Sequence, residues 1–185
     1  MHMPEIVISL DHATPADAPT IAKIHALSWQ ATYRGLLPDQ YLDKEVDSER
    51  AAYWTDRLGK PAEFNRLILV ARCANIPIGF VCAEQSDATG REVLLDNLHA
   101  LKDYQGCGAG KLMIRAVRDW ARELGAAQLY LYALEGNWRA MAFYERQGWQ
   151  WAGTKVEQMG GHTVNARRYI YPLAAARADG AVAAG

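Results

Sequence analysis

Residues 92–111 read Glu-Val-Leu-Leu-Asp-Asn-Leu-His-Ala-Leu-Lys-Asp-Tyr-Gln-Gly-Cys-Gly-Ala-Gly-Lys: an apolar run, then a turn with glycine at 106, 108 and 110. Behind the turn Leu112, Met113, Ala116, Val117, Trp120, Ala121 and Leu124 recur at helical spacing. Lys111, Arg115, Arg118, Arg122 and Glu123 fall opposite them, and Gly125 supplies a stop. The pattern is strand, glycine-rich turn, amphipathic helix. Glycine lets a backbone turn tightly and lets its N–H groups approach a ligand without side-chain obstruction. A helix start adds unpaired N–H groups and the positive end of the dipole, which together suit an anion such as a pyrophosphate. By themselves the glycines fit a bare strand-to-helix turn equally well.

Two nucleotide-binding turns can be excluded by spacing. A P-loop needs glycine five residues before its Gly-Lys-Ser/Thr. Here Gln105 stands at that position, and Gly110-Lys111 is followed by Leu112. A dinucleotide fingerprint, Gly-x-Gly-x-x-Gly, would need a third glycine where Lys111 stands.

Working outward, residues 6–10 form a β-branched first strand, and Thr14-Pro15-Ala16-Asp17 is a helix start with an N-cap, a proline and an acid. A helix carrying Ile21, Ile24, Ser28 and Trp29 follows. Residues 30–41 are rich in aromatics and turn formers, and a second helix is expected over residues 47–58, ended by Gly59 and Pro61. Residues 67–73 and 78–83 read as a hairpin joined through residues 74–77, with the 92–101 run as a third strand. After the glycine turn and its helix come a strand at 128–134 and a helix at 137–147 between Asn137 as N-cap and Gly148. Strands at 149–155 and 163–171, around Gly160-Gly161, complete one mixed α/β domain without repeat or linker.

With 185 residues and half of them hydrophobic, the chain is long enough for one well-buried core. A net charge of -1 gives no bulk attraction to nucleic acid or to an anionic membrane, so a polyanion must be gripped locally. Cys73, Cys82 and Cys107 match neither a disulfide framework nor a Cys-x-x-Cys metal site; no metal is expected, and a cytoplasmic location is. No secretory signal or membrane-spanning run is seen. The expected domain covers residues 1–172, and residues 173–185, mostly Ala and Gly, are expected to be a disordered tail.

The remaining pattern, Gln105-x-x-Gly108-x-Gly110, resembles the acetyl-CoA signature of the GNAT superfamily of N-acetyltransferases. Residues 94–100 resemble the strand before that signature, and Asn137, Ala140, Phe143-Tyr144 and Gly148-Trp149 its later block. The run Ser28-Trp29-Gln30-Ala31-Thr32-Tyr33-Arg34-Gly35 with Leu37-Pro38 is similar to small bacterial members, so the likeness spans roughly residues 6–171. One departure is Ala100-Leu101-Lys102, where the family often has Val-x-Pro; Lys102 leaves the bend less rigid.

The resemblance implies a mostly antiparallel sheet of about seven strands with flanking helices and splayed central strands. It implies acetyl-CoA as co-substrate, held by backbone of Leu98 and Ala100 at the pantetheine and acetyl end. Gln105, Gly106, Cys107, Gly108, Ala109, Gly110 and Lys111 would hold the pyrophosphate, and Asn137 would cap its helix and contact the pantetheine. Tyr144 matches the general acid that protonates the leaving thiolate; a phenol is protonated at neutral pH. Asp96 is the first choice for a base, with His99, Glu92 or a water wire as alternatives. Strand alternation puts Glu92, Leu94 and Asp96 on one face and Asn97 and His99 on the other. Cys107 would lie beside the pyrophosphate, far from the thioester, so no covalent route is expected. Trp29, Tyr33 and Tyr41 are candidates for the acceptor pocket or for ordinary core. The implied reaction is direct acetyl transfer to a primary amine in a ternary complex, the acceptor a small molecule, with a homodimer compatible. Its rivals are acetylation of a protein N-terminus or lysine and, in another class, a non-catalytic acyl-CoA sensor.

Overall fold

The computed structural model describes residues 7–86 and 88–174. In chain order the elements are β1 (Ile8–His12), α1 (Ala18–Thr32), α2 (Asp39–Lys44), α3 (Val46–Gly59), β2 (Arg66–Cys73), β3 (Ile76–Gln85) and β4 (Glu92–Ala100). They continue with α4 (Ala109–Glu123), β5 (Gln128–Leu134), α5 (Trp138–Arg146), β6 (Gln150–Met159) and β7 (His162–Pro172). The strands form one seven-stranded sheet in the order β1-β2-β3-β4-β5-β7-β6, antiparallel except between β4 and β5. The expected fold class is the one observed.

Local chemistry sets the element ends. Thr14 donates from both its N–H and its hydroxyl to Asp17, at 2.8 and 2.9 Å, and one 3-10 turn at Pro15–Asp17 leads into α1. Asn137 caps α5 by accepting from the N–H of Ala140 at 3.2 Å, and Gly148 beyond its end has φ of +88°. The β2–β3 turn is tighter than the expected residues 74–77. Ala74 and Asn75, at φ +48° and +66°, make it alone, and Pro77 lies inside β3 where the register shifts by one residue. The aromatic segment before α3 contains the short helix α2, which its sequence does not signal.

Alternation along the central strands builds two cores. Leu67, Leu69 and Ala71 of β2 and Val81 and Ala83 of β3 pack with Met113, Ile114, Val117 and Ala121 of α4. Ile68, Val70, Phe80 and Cys82 face the other way, onto Ile21 and Ile24 of α1 and Trp54 of α3. Leu173, the first residue of the expected tail, packs into the α4 core. Of the expected tail, residues 175–185 lie outside the described residues.

One irregularity alters the reading of β4. Cys82 pairs with Asn97 but Ala83 pairs with Leu95, so Asp96 is the extra residue of a β-bulge. Strict alternation fails there. Asp96 reaches Tyr53 and Arg57 of α3, and His99 reaches Ser28 of α1, so both side chains project from the same face. The expectation that Asp96 and His99 point to opposite faces is therefore corrected: the bulge resets the parity.

Gly79 lies where β3 passes closest to this part of β4; a Cβ there would stand 2.6 Å from the carbonyl oxygen of His99. Gly79→Ala is expected to cost about 1–3 kcal/mol through the forced strand shift, read as a lower urea midpoint at unchanged slope.

Candidate active site

β4 and β5 are paired at only three positions, Glu92 with Gln128, Val93 with Leu129 and Leu94 with Tyr130. Glu92 fastens this closed end: it accepts from Gln128 and, at 3.1 Å, from Arg168 of β7. Beyond Leu94 the strands part, and a cavity of about 1090 Å³ opens between them. Leu98, His99 and Ala100 of β4 line one wall, Tyr132 and Ala133 of β5 with Asn137 and Tyr144 the other, and Ser28, Ala31 and Thr32 of α1 with the following Tyr33 complete the lining on the α1 side.

At one mouth lies the glycine turn. Gly106 and Gly108 have φ of +88° and +94°, the left-handed region that glycine enters without strain. Gly110 serves packing, since a Cβ there would meet Phe143 Cζ of α5 at 3.2 Å. Among the described residues, no protein group accepts from the backbone N–H of residues 106–111, which precede the first intrahelical bonds of α4. Such a row of free donors at a helix start fits an anion. Lys102, Lys111, Arg139 and Arg146 also line the cavity, against Asp96 as the one carboxylate among the described lining residues. Gln105 donates to the carbonyl of Ala100 at 3.2 Å and so ties the turn back to β4.

Tyr144 lies inside the same cavity, edge-on to Phe143 and Trp149 with centroids at 5.5 and 5.8 Å. Burial raises its pKa above the ordinary phenol value, and the neighbouring Tyr33 adds to the rise. Tyr33 is itself pushed up to about 12 by burial, against the pull of a hydrogen bond from Asn137. Both phenols hold their protons at neutral pH.

The candidate bases separate. Glu92 is locked in the closed end and does not line the cavity. Asp96 lines it, with 29% of its side chain exposed, and its Oδ2 accepts from Asn97 at 2.8 Å and from Tyr53 and Arg57 at 3.2 Å each. Burial raises its pKa although Arg57 opposes the shift. His99 also lines the cavity, with Nδ1 2.8 Å from Ser28 Oγ; burial first, then Arg50, push its pKa down to about 4.

Of the residues named from sequence, Asp96, Leu98, Ala100, Gln105, Gly106, Gly108, Gly110, Lys111, Asn137 and Tyr144 share this cavity. Cys107 and Ala109 pack against the α4 core, and only their backbone belongs to the turn. Tyr33 is in the cavity wall, Trp29 lines a separate pocket of about 460 Å³ against β6, and Tyr41 is a core residue bonded to Glu49. Lys102, Arg139, Arg146 and Ser28 were not picked out from sequence as site residues; a scatter of basic residues carries no local signal that they converge. Among the described residues no metal-binding cluster of three or more His, Cys, Asp or Glu occurs, and no helix is long and apolar enough to cross a membrane.

A sheet splayed around a cavity, with free amides at one mouth, cations along its lining and a protonated phenol within, is the setting for the likenesses that follow. The chain belongs to the acetyltransferase (GNAT) family, which it matches over residues 16–149, and is an acetyl-CoA-dependent acetyltransferase. An uncharacterized N-acetyltransferase of Mycobacterium tuberculosis is 27% identical over 150 residues, covering 80% of this chain and 93% of that protein. The PaiA N-acetyltransferase of Thermoplasma acidophilum, solved in complex with coenzyme A, shares the fold with a TM-score of 0.70 at 19% identity, over 90% of this chain and all of that one. The yncA protein of Salmonella typhimurium, solved with acetyl-CoA, does so at 0.67 and 16%, over 95% and 99%.

The two depressed histidines have a consequence for stability. His25, buried beside His99, also has its pKa well below 6.5, through burial and then the neighbouring His99 and Arg50. Each is neutral in the fold, so between pH 6.5 and about 4 the unfolded chain binds protons that the folded one refuses. The stability present above pH 6.5 is lost as pH falls through that window. Urea unfolding at pH 7 and pH 5 is expected to show the loss, and His99→Gln to reduce it by on the order of 2 kcal/mol.

Proposed function

We propose that the protein transfers an acetyl group from acetyl-CoA directly to a primary amine, with both substrates bound together and the acceptor a small molecule. The observation that carries this reading is the joining, in one cavity, of the free amides of residues 106–111, the unpaired edge of β4 and the buried hydroxyl of Tyr144. The amides and the four cations suit the phosphates of CoA. The parted strands leave the backbone of Leu98 and the N–H of Ala100, whose carbonyl accepts from Gln105, unpaired with β5 and able to receive the pantetheine arm as an added strand. The coenzymes in the Thermoplasma and Salmonella structures support the same donor by likeness of fold.

The amine must first lose its ammonium proton, and Asp96 is the proposed recipient; burial makes it a better proton acceptor than an ordinary carboxylate. The nitrogen then forms its bond to the thioester carbonyl carbon and the carbon–sulfur bond breaks. Tyr144 gives its proton to the leaving sulfur and regains the one that nitrogen sheds as the amide forms. Asn137 contacts the pantetheine while capping α5.

Tyr144→Phe keeps the ring and removes the proton. It is expected to lower kcat about 100-fold or more and to leave acetyl-CoA affinity unchanged by calorimetry; equal loss of both would defeat the acid role. Asp96→Asn is expected to remove the acid limb of the kcat/KM profile, which in the wild type lies above pH 3.8 because the pKa is raised. A panel of small amines, N-terminal peptides and lysine peptides, read by release of free CoA, separates the acceptor classes. No release with any of them would favour the sensor.

A further inference from the structure

The pocket of about 460 Å³ lined by Trp29 of α1, Glu49 and Arg50 of α3 and residues 155–160 at the end of β6 has no part in the mechanism above. Its lining touches that of the main cavity at two places. The Trp29 ring meets Tyr33 edge-on with centroids 5.5 Å apart, and Lys155 Nζ stands 3.5 Å from the centre of the Tyr132 ring. Tyr33 and Tyr132 both line the cavity. Arg50 is also close enough for its charge to bear on Asp96 and His99 across the boundary. The pocket is thus the cavity's neighbour on the side of α1 and α3, where the amine is proposed to lose its proton.

Arg50 stands out in this lining. Its side chain is only 12% exposed, and its guanidinium lies over the rings of Trp29 and Tyr53 at 4.6 and 4.9 Å. A guanidinium carries five N–H donors, yet among the described residues only Nη2 has an acceptor, Oε1 of Glu49. Nε is sealed from solvent without a partner. Nη1 has no acceptor among the described residues and is not sealed, so it is the nitrogen left for a ligand in the pocket. The two carboxylates are in the opposite condition. Glu49 holds Arg50 with one oxygen and accepts from Tyr41 at 2.9 Å with the other, and Glu157 is paired with Lys155. The pocket is short of acceptors, so it suits a ligand that brings one. A guanidinium already beside one carboxylate matches a single further negative charge, and its planar fork fits a carboxylate.

We propose that this pocket is the acceptor's second anchor: Nη1 of Arg50 binds a carboxylate carried by the same molecule whose primary amine enters the cavity. This rests on the transferase reading and narrows its acceptor to an ω-amino carboxylate. The rings of Trp29 and Tyr33 stand between Arg50 and the cavity, and the carboxylate of an α-amino acid lies too close to its amine to span them. Trp29 and Met159 offer the spacer an apolar surface.

The test pairs each member of a graded series of ω-amino carboxylates with its own carboxamide, which keeps the amine and the spacer and removes the charge. Titrated by calorimetry into the wild-type protein loaded with CoA, the carboxylate of at least one pair should bind about tenfold tighter than its amide, the scale of one charge-assisted hydrogen bond. The same preference should appear in kcat/KM with acetyl-CoA. Equal binding throughout the series overturns the proposal and needs no variant to do so. Arg50→Met should abolish the discrimination while acetyl-CoA affinity stays unchanged, and Arg50→Lys, which keeps a charge, should retain part of it. Discrimination undiminished in Arg50→Met, or in Arg50→Lys if the first variant fails to fold, also overturns the proposal. Failure of the transferase reading looks different: the carboxylates bind the CoA complex selectively, yet no amine releases CoA from acetyl-CoA. In that case the carboxylate site stands and the transfer does not.

Discussion

Three residue pairs hold β4 to β5, and the functional architecture depends on their being no more than three. A parallel pair continued to the ends of both strands would have consumed the backbone groups of residues 95–100 and closed the sheet. Instead Glu92, bound by Gln128 and Arg168, clamps the two strands at one end, and everything beyond Leu94 is free to part. The energetic cost of unpaired backbone is tolerable only where a ligand or solvent takes the missing hydrogen bonds. The parting therefore suits a partner with a peptide-like polar edge, and the pantetheine arm proposed to lie there has one.

The two walls differ in chemistry because they are built differently. The wall from the glycine turn and α5 presents backbone donors whose positions follow from local rules: left-handed glycines, a helix start and an N-cap. The β4 wall is set by tertiary packing. Its bulge turns Asp96 toward α3, where Arg57 joins it to Glu84 at 3.0 Å, and Arg66 completes the chain at 2.9 Å. This ionic cluster anchors α3 to the sheet and partly neutralises Asp96, while His99 is held by α1.

That difference explains what could be read from the sequence. The glycine spacing, the amphipathic run of α4 and the Asn137-to-Gly148 block are local signals, and the elements they announce appear where expected. The bulge was not read from residues 92–99, because Glu-Val-Leu-Leu-Asp-Asn-Leu-His has no clean alternation whose break would mark it; it shows in how Cys82 and Ala83 meet β4. Ser28 looked like one more residue on the inner side of a helix. Its partner His99 lies 71 positions along the chain, beyond any window of sequence. Likewise α2 is six residues long, too short for a periodic pattern to emerge from its aromatic surroundings.

Charge is distributed along the cavity so that binding and chemistry do not interfere. A protein of net charge -1 places Lys102, Lys111, Arg139 and Arg146 on this cavity, with Asp96 the one carboxylate among the described lining residues, which answers the need to grip a polyanion locally. Toward the acceptor side, the groups are neutral at pH 7: two phenols with raised pKa and two imidazoles with lowered pKa. An ammonium entering that region finds little to solvate its charge apart from Asp96, so burial favours the neutral amine that can attack. The same desolvation that makes His25 and His99 poor cations in the fold thus acts on the substrate. The expected acid sensitivity of the protein and the proposed deprotonation of the amine would then share one physical cause.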